Sequence, residues 1–508
     1  MIRWSGLLAL ACVLPAGASA QDSALTLAPA RAVSLSLADA LQQARAHSPM
    51  YRQALNDAGP AKWAVRNAYG SLLPAVTAST DFGYTGSGES NFGGGLVLPT
   101  SAFLTSGYNL GLEWRLSGRT LHAPSQQRAL QRATDEDIGA AGVGLTAEIS
   151  TQYLTTLQAG AQVAVARQQV KRNEDFLSLA QARHKVGQTT LLDVRQAEVT
   201  KGTSDVVLLR AVQAENEAKL DLLRRMGVEP PVSIDQIVLT DSFPVTPPSF
   251  QLDSLLALSE RQNPALRSLR ARGHAARLDV RAAKTEFLPT LSLRAGWSGF
   301  TQQFTHQDLL LREALTGAQA EAANCEFDNA VRTGLSLGGQ TGDCFATAGL
   351  ISGGSALLDP VAQGIRNQNS VFPFSYTGQP FGANLVVSLP IFTGFGRSLR
   401  LSQARAQEDD AEEEVRARRL QVRTDVQSRY LGLETAYRAI AVQGASRESA
   451  RDQLRLAQDR YRLGAGAALE VSDAQNAVQR AEGDYVNALY DYHKAIAALE
   501  AAVGRPLR

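Results

Sequence analysis

The chain has 508 residues, 50 basic and 49 acidic, with a formal charge of +1. That balance argues against a nucleic-acid binder, which carries a basic excess. The six histidines are scattered without metal-ligand spacing, no glycine-rich loop opens a helix as a phosphate cradle, and no Gly-x-Ser-x-Gly elbow occurs, so no enzyme, no metal and no cofactor is expected.

Residues 1–20 read as a secretory signal peptide: charged Met1-Ile2-Arg3-Trp4, an apolar run from Leu7 to Leu14, and the small-x-small end Ala18-Ser19-Ala20. Its removal takes Arg3 and leaves equal numbers of acids and bases. A first repeat, residues 21–228, follows. It opens with a helical stretch and then an alternating strand, with Val76, Ala78, Thr80, Phe82 and Tyr84 against Thr77, Ser79, Asp81 and Gly83. A Gly/Ser/Asn-rich loop is expected from Gly86 to Ser106, then a second strand over Tyr108–Leu116, apolar at every even position. No proline lies between Pro124 and Pro230, and the stretch is rich in Ala, Gln, Arg, Glu and Leu. It predicts a helix over about 120–186, on the order of 100 Å long at ~1.5 Å per residue. A turn at Val186-Gly187-Gln188-Thr189-Thr190 and a return helix over about 191–226 complete the repeat. The patch Gly139-Ala140-Ala141-Gly142-Val143-Gly144 is the weak point of the long helix.

A proline-rich connector, residues 229–250, leads to a second repeat, 251–508. Leu37, Leu41, Pro49, Val65, Arg66, Ala68, Leu73 and Pro74 recur 215 residues later as Leu252, Leu256, Pro264, Val280, Arg281, Ala283, Leu288 and Pro289. Tyr153, Leu154, Arg183, Gly187, Leu192, Val194 and Gly227 recur 277 residues later as Tyr430, Leu431, Arg460, Gly464, Leu469, Val471 and Gly504. The offset grows by 62 residues, the difference of 277 and 215, so the second copy carries an insertion. It lies in the loop 301–379, between strands at Leu291–Trp297 and Ala383–Ile391. That loop holds Cys325 and Cys344, an even pair in an exported chain and so an expected disulfide.

Two strands per copy make four per chain, too few to close a barrel whose smallest outer-membrane form has about eight. An open sheet edge in lipid leaves backbone groups without partners. Three chains sharing about twelve strands, around a lumen lined by the small polar positions, satisfy both constraints. The competing reading is a periplasmic adaptor or structural protein with long helical hairpins and no pore.

Two stretches resemble the outer-membrane efflux protein family, the TolC-like channel-tunnels. One is Ala-Leu…Ser-Pro…Val-Arg…Leu-Leu-Pro before an alternating strand; the other is Arg460-Tyr461-Arg462-Leu463-Gly464…Ala468-Leu469-Glu470-Val471…Asp473-Ala474-Gln475, with its counterpart Arg183-His184-Lys185-Val186-Gly187…Leu192-Asp193-Val194. The resemblance implies an α+β membrane protein in which long antiparallel helical hairpins form an α-barrel, and four strands per chain contribute to a trimeric 12-stranded β-barrel. It implies a homotrimer in the outer membrane of a Gram-negative-type cell, in contact with lipid and extending into the periplasm. Partners would be a periplasmic adaptor and an inner-membrane pump, for small-molecule efflux or type I secretion.

The helix-turn-helix tips, farthest from the strands, carry the site expectations. Asp193, Glu470 and Asp473 would be lumen acids of the periplasmic gate, rings of which favour cations; helix capping accounts equally for Asp193 and Glu470. Tyr461 with Asp193 would form a latch between tips. Arg183, Val186, Gly187, Leu192, Val194, Arg460, Leu463, Gly464, Leu469 and Val471 would receive the adaptor. Tyr84, Tyr108, Trp114 and Trp297 suit aromatic girdles at the membrane boundary.

Overall fold

The computed structural model describes residues 33–92, 96–231, 233–338 and 342–507. The expected signal peptide, residues 1–20, lies outside these. In chain order the elements are β1 (Val33–Leu35), α1 (Leu37–His47), α2 (Pro49–Asn56), α3 (Ala58–Gly70), β2 (Ala75–Thr85), β3 (Gly88–Phe92), β4 (Leu96–Thr100), β5 (Phe103–Leu116), α4 (Gly118–Lys185) and α5 (Leu191–Met226). The second series is β6 (Ile237–Leu239), α6 (Leu252–Gln262), α7 (Pro264–Thr285), β7 (Thr290–Phe304), α8 (Asp308–Gly334), α9 (Cys344–Thr347), α10 (Asp359–Gln368), β8 (Thr377–Gly378), β9 (Gly382–Ser388), α11 (Gly396–Arg462) and α12 (Ala468–Val503). The molecule is mostly helical. No described helix is long and apolar enough to cross a membrane.

Two compact units form, and each draws on both repeats. One takes the described residues up to Arg52, Gly142–Leu256 and Asp425 onward; the other takes Gln53–Ala141 and Ala257–Thr424. The division between Ala141 and Gly142 falls in the glycine patch of α4, which nevertheless remains one continuous helix.

In the first unit, Leu145, Ile149 and Tyr153 of α4 pack with Leu222, Leu223 and Met226 of α5, and with Leu35, Ala40, Ala44 and Ile237. Each such large side chain contributes about 1.5–3 kcal/mol by leaving water. Local sequence starts and stops these helices. Ser36 and Asp39 form a capping box on α1, Thr190 and Asp193 form another on α5, and the left-handed glycines Gly227 and Gly504 end α5 and α12. The Tyr153 hydroxyl donates to the Leu35 carbonyl at 2.9 Å, and the Tyr430 hydroxyl to the Phe250 carbonyl at 3.4 Å. Donors and acceptors are thus related by the same offsets as the sequence matches. The parallel pair β1–β6 has no counterpart among the elements expected above, because three residues are too few to display a period.

The second unit holds a sheet of order β2-β5-β7, with β9 and the short β8 both pairing the far side of β7, all antiparallel. Two loop expectations need correction. The segment 86–106 contains the β3–β4 hairpin and the first residues of β5. The segment 301–379 is largely structured: it carries the end of β7, then α8, α9 and α10, with Cys325 and Cys344 joined as a disulfide across a Cα separation of 5.7 Å. Helix formers such as Leu309–Leu311 and Ala318–Ala323 outweigh the Gly and Asn that made this stretch read as a loop. β9 also stops at Ser388, so Leu389–Ile391 lie beyond it, where Pro390 has no N–H for a ladder.

Where helices meet strands, Glu286 accepts from Arg119 at 2.7 Å and from Arg400 at 2.6 Å. Burial works to raise its pKa, but the two guanidinium groups prevail and hold the carboxyl below its ordinary value.

Candidate functional site: helical tips and a two-faced sheet

The two tips in the first unit end alike. Gly187 (φ +77°) and Gly464 (φ +79°) take the left-handed conformation. Gly187 and Gln188 return N–H bonds to His184 and Arg183, and Gly464 and Ala465 return them to Tyr461 and Arg460. Both turns are Schellman motifs, which only glycine enters without a Cβ penalty.

The acids then diverge. Asp193 is the third residue of α5 and accepts from the Thr189 hydroxyl (2.6 Å), the Thr190 hydroxyl (2.8 Å) and the Thr190 N–H (3.0 Å). The Thr189 bond, opposed by partial burial and joined by those of Thr190, lowers its pKa. It is a capping residue. Glu470 is exposed and lies 3.5 Å from Arg460 of its own tip. Asp473, a turn further along α12, is exposed.

The expected latch between Tyr461 and Asp193 is not made within the chain. Tyr461 is only 4% exposed, sits in the tip core against Phe176, and its hydroxyl is buried without a hydrogen-bond partner. Asp193 is occupied by its own cap. Beside the core that the tips share, Arg183 links them: its guanidinium lies 4.8 Å over the Tyr461 ring and donates to the Tyr461 carbonyl. The repeat marked Arg183 and Arg460 as equivalent, yet Arg460 reaches only Ala465 and Glu470 of its own turn. No sequence signal separates the two.

Val194 and Val471 are likewise buried, in a core with Phe176, Ala180, Ala457, Tyr461 and Ala474. They hold the tips together and offer no surface. The exposed apolar side chains there include Val186 (68%), Leu191 (55%), Leu192 (74%), Leu463 (85%) and Leu469 (54%). Further along the same helices, Glu482 is gripped by Arg172 and Arg451, both at 3.1 Å, beside the buried polar residues Gln169, Asn173 and Gln475. This polar layer was not anticipated.

In the second unit, register sorts the sheet residues into two faces. Leu112, Ala295 and Ala383 lie side by side, as do Trp114, Leu293 and Leu385, with Val76 opposite Leu112 and Leu110 opposite Trp297. This face bears no charged residue. The other places Glu113 beside Arg294 and Asn384, and Gly111 beside Gly296 and Gly382. Val76, Phe82, Tyr84, Leu385 and Val387 are all more than half exposed, and every residue of β2 and β9 is exposed. Among the described residues each of these two strands has neighbours on one side only. Of the aromatic positions, Trp114 donates its indole N–H to the Leu72 carbonyl at 2.9 Å, Tyr108 packs on Tyr376 and Trp297 on Phe381. Among the described residues no cluster of metal-ligating side chains occurs.

The sequence profile described as "Outer membrane efflux protein" matches residues 40–227 and 362–505. The fold is similar to that of the outer-membrane channel OprN (17% identity, 92% of this chain and 89% of that one, TM-score 0.67). It is similar to CusC (16%, 92% and 92%, TM-score 0.67). It is also similar to the MtrE outer membrane channel of Neisseria gonorrhoeae (18%, 95% and 94%, TM-score 0.64). No curated protein sequence matches the chain.

Proposed function

Because the chain belongs to the outer membrane efflux protein family and so is an outer-membrane efflux channel, we propose that it works as the passive, trimeric exit duct of a tripartite export system. The observation that carries this reading is the sheet: one face without charge, and two strands, β2 and β9, each paired on one side only. Lipid accepts the first, and the second is unsatisfied in lipid unless another chain pairs it. Four strands from each of three chains close about twelve. The apolar face then meets lipid and the Gly/Ser/Asn face lines a wet lumen, while the helical hairpins extend the duct into the periplasm.

The exposed tip residues Val186, Leu192, Leu463 and Leu469 are the surface on which a periplasmic adaptor, bridging to an inner-membrane pump, would dock. Exposed apolar side chains clustered at matching places in both tips support this. Arg183, Gly187, Arg460 and Gly464 shape that surface. Asp473 and Glu470, exposed and unburdened by caps of the Thr190 kind, remain the candidates for lumen acids; Asp193 is the least suited of the three, since its carboxylate is spent on the cap. In this reading the energy for transport comes from the pump.

The test is reconstitution of the purified protein in a planar bilayer, with its mass measured in detergent. Discrete conductance from a three-chain, heat-modifiable species is the expected result. A water-soluble monomer recovered wholly from the periplasm would overturn the reading in favour of a non-conducting hairpin protein.

A further inference from the structure

The polar face of the sheet carries few charges, and three of them meet. Glu113 and Arg115 of β5 lie two residues apart on that face, and Arg294 of β7 stands directly across from Glu113. Arg115 and Arg294 both approach the same Glu113 oxygen at 3.5 Å. One carboxylate therefore serves two guanidinium groups, leaving one positive charge uncompensated. The side chains of Arg115, Arg294 and Glu113 are 62%, 71% and 52% exposed. At that exposure and distance the pairs are weak, so an incoming anion competes with Glu113 at little cost.

The ground beside them is shaped. One same-face step along the strands, about 7 Å away, Gly111, Gly296 and Gly382 stand in a row across three strands. The row floors a concavity of about 540 Å³ that Glu113, Arg294, Asn109 and Asn384 also line. Bare backbone lets a ligand lie close to the wall while its anionic group meets Arg294. The remaining charge on this face of the strands, Asp81, is six residues along β2 from Ala75, the partner of Glu113. It is therefore roughly 20 Å distant.

We propose that Arg294 and Arg115, with the glycine-floored concavity, form an anion-accepting subsite for cargo bearing a carboxylate, phosphate or sulfonate. Three copies give the barrel wall a positive belt. This rests on the duct reading, in which the polar face lines the lumen. The belt opposes in sign the acids at the tips, so the duct screens cargo twice, by opposite charge.

The experiment is reversal potential across a KCl gradient in planar bilayers, for the wild type, Glu113→Gln and the double variant Arg115→Gln/Arg294→Gln, with inorganic tripolyphosphate as an added blocker. Glu113→Gln is expected to raise the chloride-to-potassium permeability ratio and the double variant to lower it, each by about threefold or more. Tripolyphosphate block is expected to strengthen in the first and disappear in the second. Heat-modifiable migration of each variant checks that the assembly forms. Channels that conduct normally while neither quantity moves would overturn the subsite and leave the duct standing. Absence of any wild-type conductance would overturn the duct, and the subsite with it.

Discussion

Arg183→Ala separates the two tips more sharply than any other single change. The guanidinium gives up a cation–π contact with Tyr461, worth about 0.5–2 kcal/mol. It also gives up a charge-assisted bond to the Tyr461 carbonyl, worth about 1.5–3 kcal/mol. Against this stands its own Nε, buried without a partner, whose relief returns about 1–3 kcal/mol. Taking the middle of each range, the net loss is about 1.5 kcal/mol, confined to the tips because the contact lies there, and corresponds to roughly 13-fold more frequent local opening. Hydrogen exchange of peptides covering residues 455–475 is the assay, and exchange should accelerate by about that factor. Arg183→Lys keeps the charge but loses the planar fork, and should fall between the two. The repeat supplies its own control. Arg460→Ala removes a side chain that is 60% exposed and bound only within its own turn, so it should change exchange by less than about 0.5 kcal/mol. Equal acceleration in the two variants, or none in Arg183→Ala, would refute the assignment of Arg183 as the link.

The other predictions follow from neighbouring contacts. Asp193→Ala should cost the α5 tip about 1 kcal/mol as a lost cap; since the folded-state pKa is lowered, the cap acts in full above the ordinary aspartate value and is lost as pH falls through the depressed one, which exchange of α5 amides against pH will report. Tyr461→Phe removes a buried hydroxyl that bonds to nothing, so melting temperature should stay level or rise slightly; a clear fall would mean the hydroxyl has a partner. Cys325→Ser opens a closure between residues 19 apart and should take about 3 kcal/mol from the α8–α9 segment, read as faster proteolysis there with the sheet unaffected. Gly296→Ala would place a Cβ 2.4 Å from the Leu110 carbonyl oxygen, forcing β5 and β7 apart and abolishing the heat-modifiable species.

The long helices are legible because little interrupts them: proline is absent from α11 and occurs in α4 only near its start, at Pro124, and a single glycine turn breaks each run at Gly187 and Gly464. Four strands were legible because alternation over seven or more residues is hard to mistake. Asp193 stands three residues after Thr190, a capping box that sequence displays openly, and the structure uses it as such. What sequence hides is contact across distance. Arg183 and Arg460 occupy equivalent positions with identical side chains, and only the approach of α11 to α4 decides which of them crosses over. Tyr461 looked like a latch because tyrosine has a hydroxyl; its ring, held between Phe176 and Arg183, is what the fold employs. The helices of the insertion are hidden in the sequence because Gly and Asn at its margins mask the alanine-rich stretch between.

The exposed edges of β2 and β9 have a genetic consequence. In the three-chain barrel proposed above, each chain must offer a sound edge to both neighbours, so one defective chain spoils the ring that accepts it. A variant damaged only at β2, expressed equally with the wild type and mixing at random, would leave about one assembly in eight wholly intact. Lesions at these edges should therefore behave as dominant, whereas lesions that stop a chain from folding at all, and so keep it out of the ring, should behave as recessive.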